Sequence, residues 1–424
     1  MSQLRQLLAI RDFRYLWLAQ VLCDFGDNLT FLTLLILIQR LTGSTVALAG
    51  LLISVTVPTI VFGLLAGVFV DRVDRKKAML VSDLLRAVIV LGFLFVRSAE
   101  LVPLIYLVAF AQATVGTVFN PARGAFVPAI VGRERLLAAN SVSQTSKILF
   151  NVLGSGAAGL LAAFGPGLGP AFVVNSAVFF ASFLLVSRIA TSGRPVRATS
   201  SQVWTEIRAG FGVVVASRPL RGVLISLSVT MLGLGAVNVL FVPFLIGDLG
   251  VSEAFLGAVE ASQVVGLVVS GTIVAVLATR LRPAALVSFG LVALSVFIGA
   301  VATTQAVWHV MLLLFFVGLS VGPVQAGAST LSQTLIEDSM RGRVGGAIGT
   351  VVSVANVASM GIAGLAAAAI GTRNVFLASG CVLLLAGLLT RWLFRQGVAP
   401  VLLPDSPGQA PVTRGPVEHV EHLE

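Results

Sequence analysis

Apolar stretches of about twenty residues or more recur from one end of the chain to the other. Twelve can be placed, at roughly 13–38, 46–70, 77–96, 101–130, 138–164, 168–187, 220–247, 252–279, 284–303, 306–336, 344–370 and 374–396. Each is long enough to cross about 30 Å of hydrocarbon as a helix. Lipid offers the backbone no hydrogen-bond partner, so a chain that enters it must be helical or close into a barrel. These runs are continuous and do not alternate every second residue, which excludes a barrel. A mean hydropathy of +1.00, with 57% of residues hydrophobic and 11% charged, excludes a soluble globular domain, whose surface would aggregate at that composition. The expected fold class is an all-α membrane protein with twelve transmembrane helices. The opening segment MSQLRQLLAIRDFRYLW reads as no cleavable signal, because the apolar run behind it is too long for one.

The formal net charge of +10 would raise nucleic acid as a partner for a soluble protein. Here position decides. Arg40, Arg97 and Arg373 are the basic residues of odd-numbered loops, and Arg86, Arg123 and Lys147 fall within spans. Every other Lys and Arg lies in, or at the edge of, an even-numbered loop or a terminal segment. Basic loops stay in the cytoplasm. Both termini are therefore expected on the cytoplasmic side of a cell (inner) membrane, and the charge is accounted for without nucleic acid. Cys23 and Cys381 lie inside apolar runs and read as small core residues; nothing indicates a disulfide or a metal site.

The chain repeats itself. NVLGSGAAGLLAA (151–163) in the fifth span aligns with NVASMGIAGLAAA (356–368) in the eleventh, with eight of thirteen positions identical. The start of the third span, AMLV (78–81), matches AALV (284–287) at nearly the same offset. Two pseudo-symmetric six-helix halves are expected, 1–187 and 220–396, joined by a cytoplasmic linker, 188–219. The linker contains SQVWTEIRAGFGVVV, in which Trp204, Ile207, Phe211 and Val215 share one face of a surface helix. The tail, 397–424, carries five prolines and few apolar residues and is expected to be disordered. Two similar halves around a mid-membrane site are the architecture of alternating access.

One segment is unlike the rest. GVFVDRVDRKKAML (67–80) places six charges in seven residues, Asp71 to Lys77, directly after an apolar run. It resembles the loop 2–3 signature of the major facilitator superfamily, G-x-L-a-D-r-x-G-r-k-x-x-l, with Gly67, Asp71, Arg72, Arg75 and Lys76 on the pattern and Asp74 in place of its glycine. FNPARGAFVPAIVGRERLLAAN (119–140) and the opening FRYLWLAQVLCDFGDNL are similar to the drug and siderophore exporter branch, which includes macrolide-efflux and enterobactin-exporter-like proteins. The resemblance covers residues 11–396. It implies the major facilitator fold, a small-molecule substrate moved across the bilayer, and a loop that helps to close the cytoplasmic side. Asp71 would then face the positive N-terminus of span 11. Arg72 and Arg75 would pair with acidic groups such as Glu337 or Asp338. The glycine-rich antiporter pattern of span 5 is met in FNVLGSGAAG (150–159) at Gly154 and Gly159 but not at Phe150, Ser155 or Ala158.

Ionisable residues inside hydrocarbon are expensive and mark function by default. Asp24, Asp27, Asn28 and Phe31 form one stripe of span 1. Asp27, near mid-span, is the first candidate for carrying a coupled proton, with Asp24 beside it and Glu260 of span 8 as the second. A proton descending 100 mV releases about 2.3 kcal/mol. Gln144, Lys147 and Asn151 share a face of span 5, and Lys147 is expected to pair with a span-1 carboxylate or to meet an anionic substrate. Asp83 and Arg86 of span 3 are spaced to pair with each other; with Arg123 they are read as gate residues near the cytoplasmic side. Asn238, Gln263, Gln325 and Asn356 are further cavity candidates, and Phe31 represents an aromatic lining for an amphipathic ligand.

These features favour a monomeric, proton-coupled exporter of hydrophobic or amphipathic compounds, without a cofactor. Lipid or lysolipid movement, or uptake, by the same fold is the alternative. A membrane-embedded enzyme is disfavoured: His419 and His422 lie in the tail, His309 lies near an outer surface, and no metal-ligand spacing or nucleotide-binding P-loop is present. A receptor or scaffold would need a sensing domain that the sequence does not offer.

Overall fold

The computed structural model describes residues 2–164, 167–193, 203–336 and 340–395. The tail expected from 397 onward, with its two histidines, lies outside them, as do Glu337 and Asp338. A short helix, Ser2–Ala9, leads into twelve spans. These are Arg11–Thr42, Thr45–Arg72, Arg75–Ile89, Val102–Val131, Leu136–Phe164, Gly169–Ser187, Arg218–Pro243, Leu256–Leu277, Pro283–Val301, Val307–Leu335, Arg341–Ile370 and Thr372–Leu393, numbered 1 to 12 here. Span 3 continues as a 3₁₀ turn, Val90–Phe95, and span 7 as a π-helical turn, Phe244–Asp248.

The span ends follow local chemistry. Gly43 closes span 1 in the left-handed conformation, φ 59°, which glycine adopts without a Cβ penalty. Ser44 then caps span 2 by accepting from the Ala47 N–H. Asp74, the departure from the superfamily pattern, has a local task. It is the N-cap of span 3, its Oδ1 accepting from the Lys77 N–H at 3.2 Å.

Spans 1–6 pack chiefly among themselves, and so do spans 7–12. The pairings recur: span 1 meets 5 and 6 as 7 meets 11 and 12, span 2 meets 4 as 8 meets 10, and span 3 meets 4 and 6 as 9 meets 10 and 12. The sequence repeat between spans 5 and 11 is thus the trace of a repeated six-helix unit. Small residues permit the close crossings. Gly266 of span 8 lies against the Phe315 carbonyl of span 10, and Gly318 of span 10 against the Gln263 carbonyl of span 8, so a Cβ at either would overlap the opposing backbone. Gly318→Val is expected to destabilise the protein by about 2 kcal/mol through overpacking. A fall of roughly 2 °C in the melting temperature in detergent would show it, and an unchanged melting temperature would contradict it.

The linker helix is Val203–Ala216, and it packs on the second unit. The face expected from Trp204, Ile207, Phe211 and Val215 needs correction: Val215 is exposed, whereas Val214 is buried with Leu220, Val344 and Ile348. Gly210 lies against the Arg343 carbonyl at the start of span 11 and sets the rotation of the helix. The side chains of Trp204 and Ile207 lie outside the described residues.

Twelve crossings put the start of span 1 and the end of span 12 on one face, here the terminal face. The described bonds between the two units gather on the opposite, far face. Arg40, at the end of span 1, pairs with Glu253, which precedes span 8, its Nε donating to Oε1 at 2.7 Å. The same guanidinium donates to the Ala162 carbonyl at the end of span 5. Thr45 Oγ donates to the Gly364 carbonyl of span 11 at 2.8 Å. Gly257 of span 8 meets the backbone of Gly156 in span 5. Leu65, Phe69 and Val354, on the terminal-side halves of spans 2 and 11, are exposed.

Candidate functional site

Beneath the far-face contacts lie two cavities. The first, of about 500 Å³, is enclosed by spans 1–4 and is lined by Asp27, Asn28, Phe31, Val55, Arg86 and Gln112 among others. The second, of about 590 Å³, lies between the units and is walled mainly by Phe, Leu, Val and Met side chains, with Thr56, Glu260, Gln263, Asn238 and Asn356 as its polar groups. Phe31 and Val55 belong to both walls, so the cavities are neighbours.

The charged centre of the first cavity is an ion pair between Asp27 of span 1 and Arg86 of span 3. The two partners differ in environment. The Asp27 side chain is 49% exposed, into the cavity, and that of Arg86 only 4%. The Arg86 guanidinium lies over the Phe179 ring of span 6 at 4.0 Å from its centroid, a cation–π contact. This pairing corrects the expected Asp83–Arg86 pair. Asp83 is fully buried and accepts hydrogen bonds from Ser182 of span 6, at 2.6 Å, and from the Cys23 thiol of span 1, at 3.6 Å. The ion pair, hydrogen bonds and ring contact of the two residues are with spans 1 and 6, inside the first unit. Helical spacing permits Asp83 and Arg86 to meet, but the guanidinium turns to the carboxylate that faces space rather than to the one already held by two donors.

A second network lies one turn nearer the terminal face. Arg123 donates to Gln20 Oε1. Gln20 Nε2 in turn donates to Asp24 Oδ2 and to the Ser143 carbonyl, both at 3.1 Å. Arg123 therefore ties spans 4, 1 and 5 together. Lys147 does not take the expected carboxylate partner. The face of span 5 that meets span 1 runs through Ser143, Ser146 and Gly154, with Trp17 Nε1 donating to Ser146 Oγ at 2.9 Å. Lys147 and Gln144 fall beside that contact and are exposed. Gln325 is exposed on span 10, and Gln144, Lys147, Asn151 and Gln325 line neither cavity. Asn28 and Phe31 line the first cavity, and Asn238, Glu260, Gln263 and Asn356 the second, as expected for cavity residues. The Ser155 hydroxyl of span 5 faces the Glu260 carboxyl across the boundary between units.

The charged loop between spans 2 and 3 differs from expectation in its partners. Arg75 donates to the Ala125 carbonyl of span 4 at 3.0 Å, and Lys76 Nζ to the Ser187 and Ile189 carbonyls after span 6. Neither is paired with an acidic group: Lys76 takes the free carbonyls at the end of span 6, and Arg75 a carbonyl within the last two turns of span 4. Arg72 is exposed. The structure gives no side-chain environment for Asp71 and none for Gly67, both outside the described side chains. Asp12 completes this knot by accepting from the Ala190 and Thr191 backbone.

Three polar residues of the site carry no charge and were not singled out by sequence. Gln20 extends the stripe of span 1 one turn back from Asp24, a spacing that was available to read. Gln112 stands mid-span in AFAQATVG beside the ion pair, both amide atoms buried without a partner. Asn175 is fully buried and donates to Thr30 Oγ.

Comparison with known proteins agrees with this architecture. Over 372 residues the chain is 29% identical to the multidrug efflux pump Tap of Mycolicibacterium fortuitum, covering 84% of this chain and 88% of the relative. It is 24% identical over 379 residues to macrolide efflux protein A of Streptococcus pyogenes, covering 88% and 93%. Among solved structures, a bacterial homologue of the iron transporter ferroportin in an inward-facing state superposes with a TM-score of 0.75 at 16% identity, over 90% of this chain and 98% of that one. The nucleoside transporter NupG gives 0.75 at 10% identity, over 91% and 99%. Residues 5–400 match the transmembrane secretion effector family, and with twelve spans in two repeated units the chain belongs to that family of major facilitator transporters.

Proposed function

We propose that this transporter exports hydrophobic or amphipathic small molecules by alternating access, driven by protons moving inward. In this reading the terminal face is cytoplasmic, the membrane is the bacterial cell membrane, and residues 1–187 and 220–396 rock about the far-face contacts. The observation that carries it is the pairing of two neighbouring cavities, one built around the Asp27–Arg86 ion pair and the other more apolar. A molecule with a greasy body and a polar end fits such a pair, as drug-sized ligands fit apolar pockets with few polar groups. The multidrug and macrolide efflux relatives support this substrate class. Asp27 would carry the coupled proton, being both mid-span and open to the cavity; Glu260, about one turn inside span 8 and lining the second cavity, is the second candidate.

Inside-out membrane vesicles from cells making the chain test this. Vesicles energised to an acidic interior are expected to accumulate tetraphenylphosphonium or erythromycin, and to lose that uptake when nigericin collapses the pH gradient. Accumulation untouched by nigericin would contradict proton coupling. Movement of lysolipid with neither drug transported would contradict the substrate class and favour the lipid reading.

A further inference from the structure

Asp83 stands outside the coupling scheme above, yet it is the least expected group in the first unit. It is a carboxyl with no exposed surface, held by two neutral donors, Ser182 Oγ and Cys23 Sγ, and with no cation within ion-pair distance. Arg86 lies one turn further along the same helix. Its Nε is buried and without a hydrogen-bond partner, while its Nη2 is engaged with Asp27. A guanidinium offers five N–H donors and cannot give up its charge. An idle buried donor and an uncompensated buried acid on one helix face are each unfavourable, and a single side-chain movement would relieve both.

We propose that Arg86 is a two-seat switch, with Asp27 as its seat when that carboxyl is charged and Asp83 as its seat when Asp27 takes a proton or turns to a cationic substrate. The inference rests on the coupling reading of Asp27 and adds Asp83 as a positioning residue that acts through Arg86. The surroundings fit the movement. The guanidinium rests on the flat face of Phe179, which precedes Ser182 by one turn of span 6, so it can slide along that helix without leaving its aromatic support. Gly116 of span 4 lies opposite, its Cα side in ordinary contact range of the guanidinium. The other charged groups within electrostatic reach are Asp24 of span 1, already bonded to Gln20, Arg123 of span 4 and Lys147 of span 5. Span 6 contributes only Ser182 and the Phe179 ring to this centre. With the switch, protonation at the cavity does not strand a buried cation; it moves the guanidinium by a turn and so passes the event from span 1 to the contact of spans 3 and 6.

The direct test is an experimental structure of full-length Asp27→Asn, which mimics the protonated carboxyl. The guanidinium is expected within 4.0 Å of the Asp83 carboxyl. A guanidinium still beside residue 27, with no carboxylate in range, would overturn the proposal. A second readout uses Asp83→Asn in proteoliposomes with tetraphenylphosphonium. Net transport driven by a pH gradient is expected to fall at least tenfold while exchange between equal concentrations changes less than twofold. Equal loss of both would mark Asp83 as merely structural and overturn the proposal. Failure of the coupling reading itself appears elsewhere, as wild-type transport indifferent to the pH gradient, and the Asp27→Asn structure still decides the switch.

Discussion

The double variant Asp27→Asn/Asp83→Asn is expected to be about 3–5 kcal/mol less stable than the wild type, the magnitude seen when a buried charge loses its partner. Each single variant is expected to lose only about 1 kcal/mol. The asymmetry follows from Arg86. Its side chain is 4% exposed, and unlike a carboxyl it cannot become neutral to escape burial. While either aspartate remains, the guanidinium has a seat; with both gone it is a stranded cation. The coupling is therefore far from additive, as expected for residues that share one partner. Adding Arg86→Leu to the double variant is expected to restore most of the lost stability, because a centre with no charges has none to compensate. Unfolding in detergent, followed by circular dichroism or, in a Cys381→Ser background that removes the exposed second thiol, by a thiol-reactive dye at buried Cys23, measures all of these. Additive single losses, or an Asp27→Asn variant as unstable as the double, would show that Asp83 does not take over.

Glu253→Gln is expected to release the far face. The Arg40–Glu253 pair joins the units there, with side chains 31% and 15% exposed. That setting lies between a surface ion pair, worth about 0–1 kcal/mol, and a buried charge-assisted one, worth about 1.5–3 kcal/mol. Losing roughly 1.5 kcal/mol from the far-closed state shifts its ratio to the far-open state about tenfold, provided the open state makes no use of the pair. Spin labels at exposed Val46 of span 2 and Ile370 of span 11 report the separation of the units on that face. A longer-distance population is expected to grow in Glu253→Gln and to recede in the charge-swapped pair Arg40→Glu/Glu253→Arg. Unchanged distances would mean that the glycine contacts, Gly257 on Gly156 and Gly364 on Ala49, hold the face closed without the ion pair.

The spans were legible because a membrane helix is written in long, uninterrupted signals. Span 6, read at 168–187, is the helix Gly169–Ser187, and span 11, read at 344–370, is Arg341–Ile370. The repeat was most legible in spans 5 and 11 because NVLGSGAAGLLAA and NVASMGIAGLAAA serve the same close crossing in both units. The linker helix was legible as a helix but not in its packed face, since the choice between Val214 and Val215 depends on where Gly210 meets span 11. Within the site, the stripe of span 1 gave Asp27, Asn28 and Phe31, and isolated polar residues in apolar spans gave Glu260, Gln263, Asn238 and Asn356. What sequence could not give was pairing. Arg86 has Asp83 one turn away and Asp27 59 residues away, and local spacing favours the wrong one. Arg40 and Glu253 are 213 residues apart, each an ordinary loop charge until the fold brings the two units together. Lys147 failed differently: it stands four residues after Ser143 on the face toward span 1, but its side chain is exposed and makes no described ion pair, so helical spacing alone overstated that pairing.

Proteoliposomes containing the purified chain and an internal pH dye, with an imposed pH gradient, provide the most direct measurement. Tetraphenylphosphonium, erythromycin, a siderophore and a lysolipid would be added in turn to wild type and to Asp27→Asn. Substrate-dependent proton flux is expected in the wild type, reduced at least a hundredfold in Asp27→Asn, about 2.7 kcal/mol in the coupled step, while the variant still binds the substrate. Proton flux that survives unchanged in Asp27→Asn would remove the ion-paired carboxyl from coupling and move that role to Glu260, and substrate movement without any proton flux would contradict antiport itself.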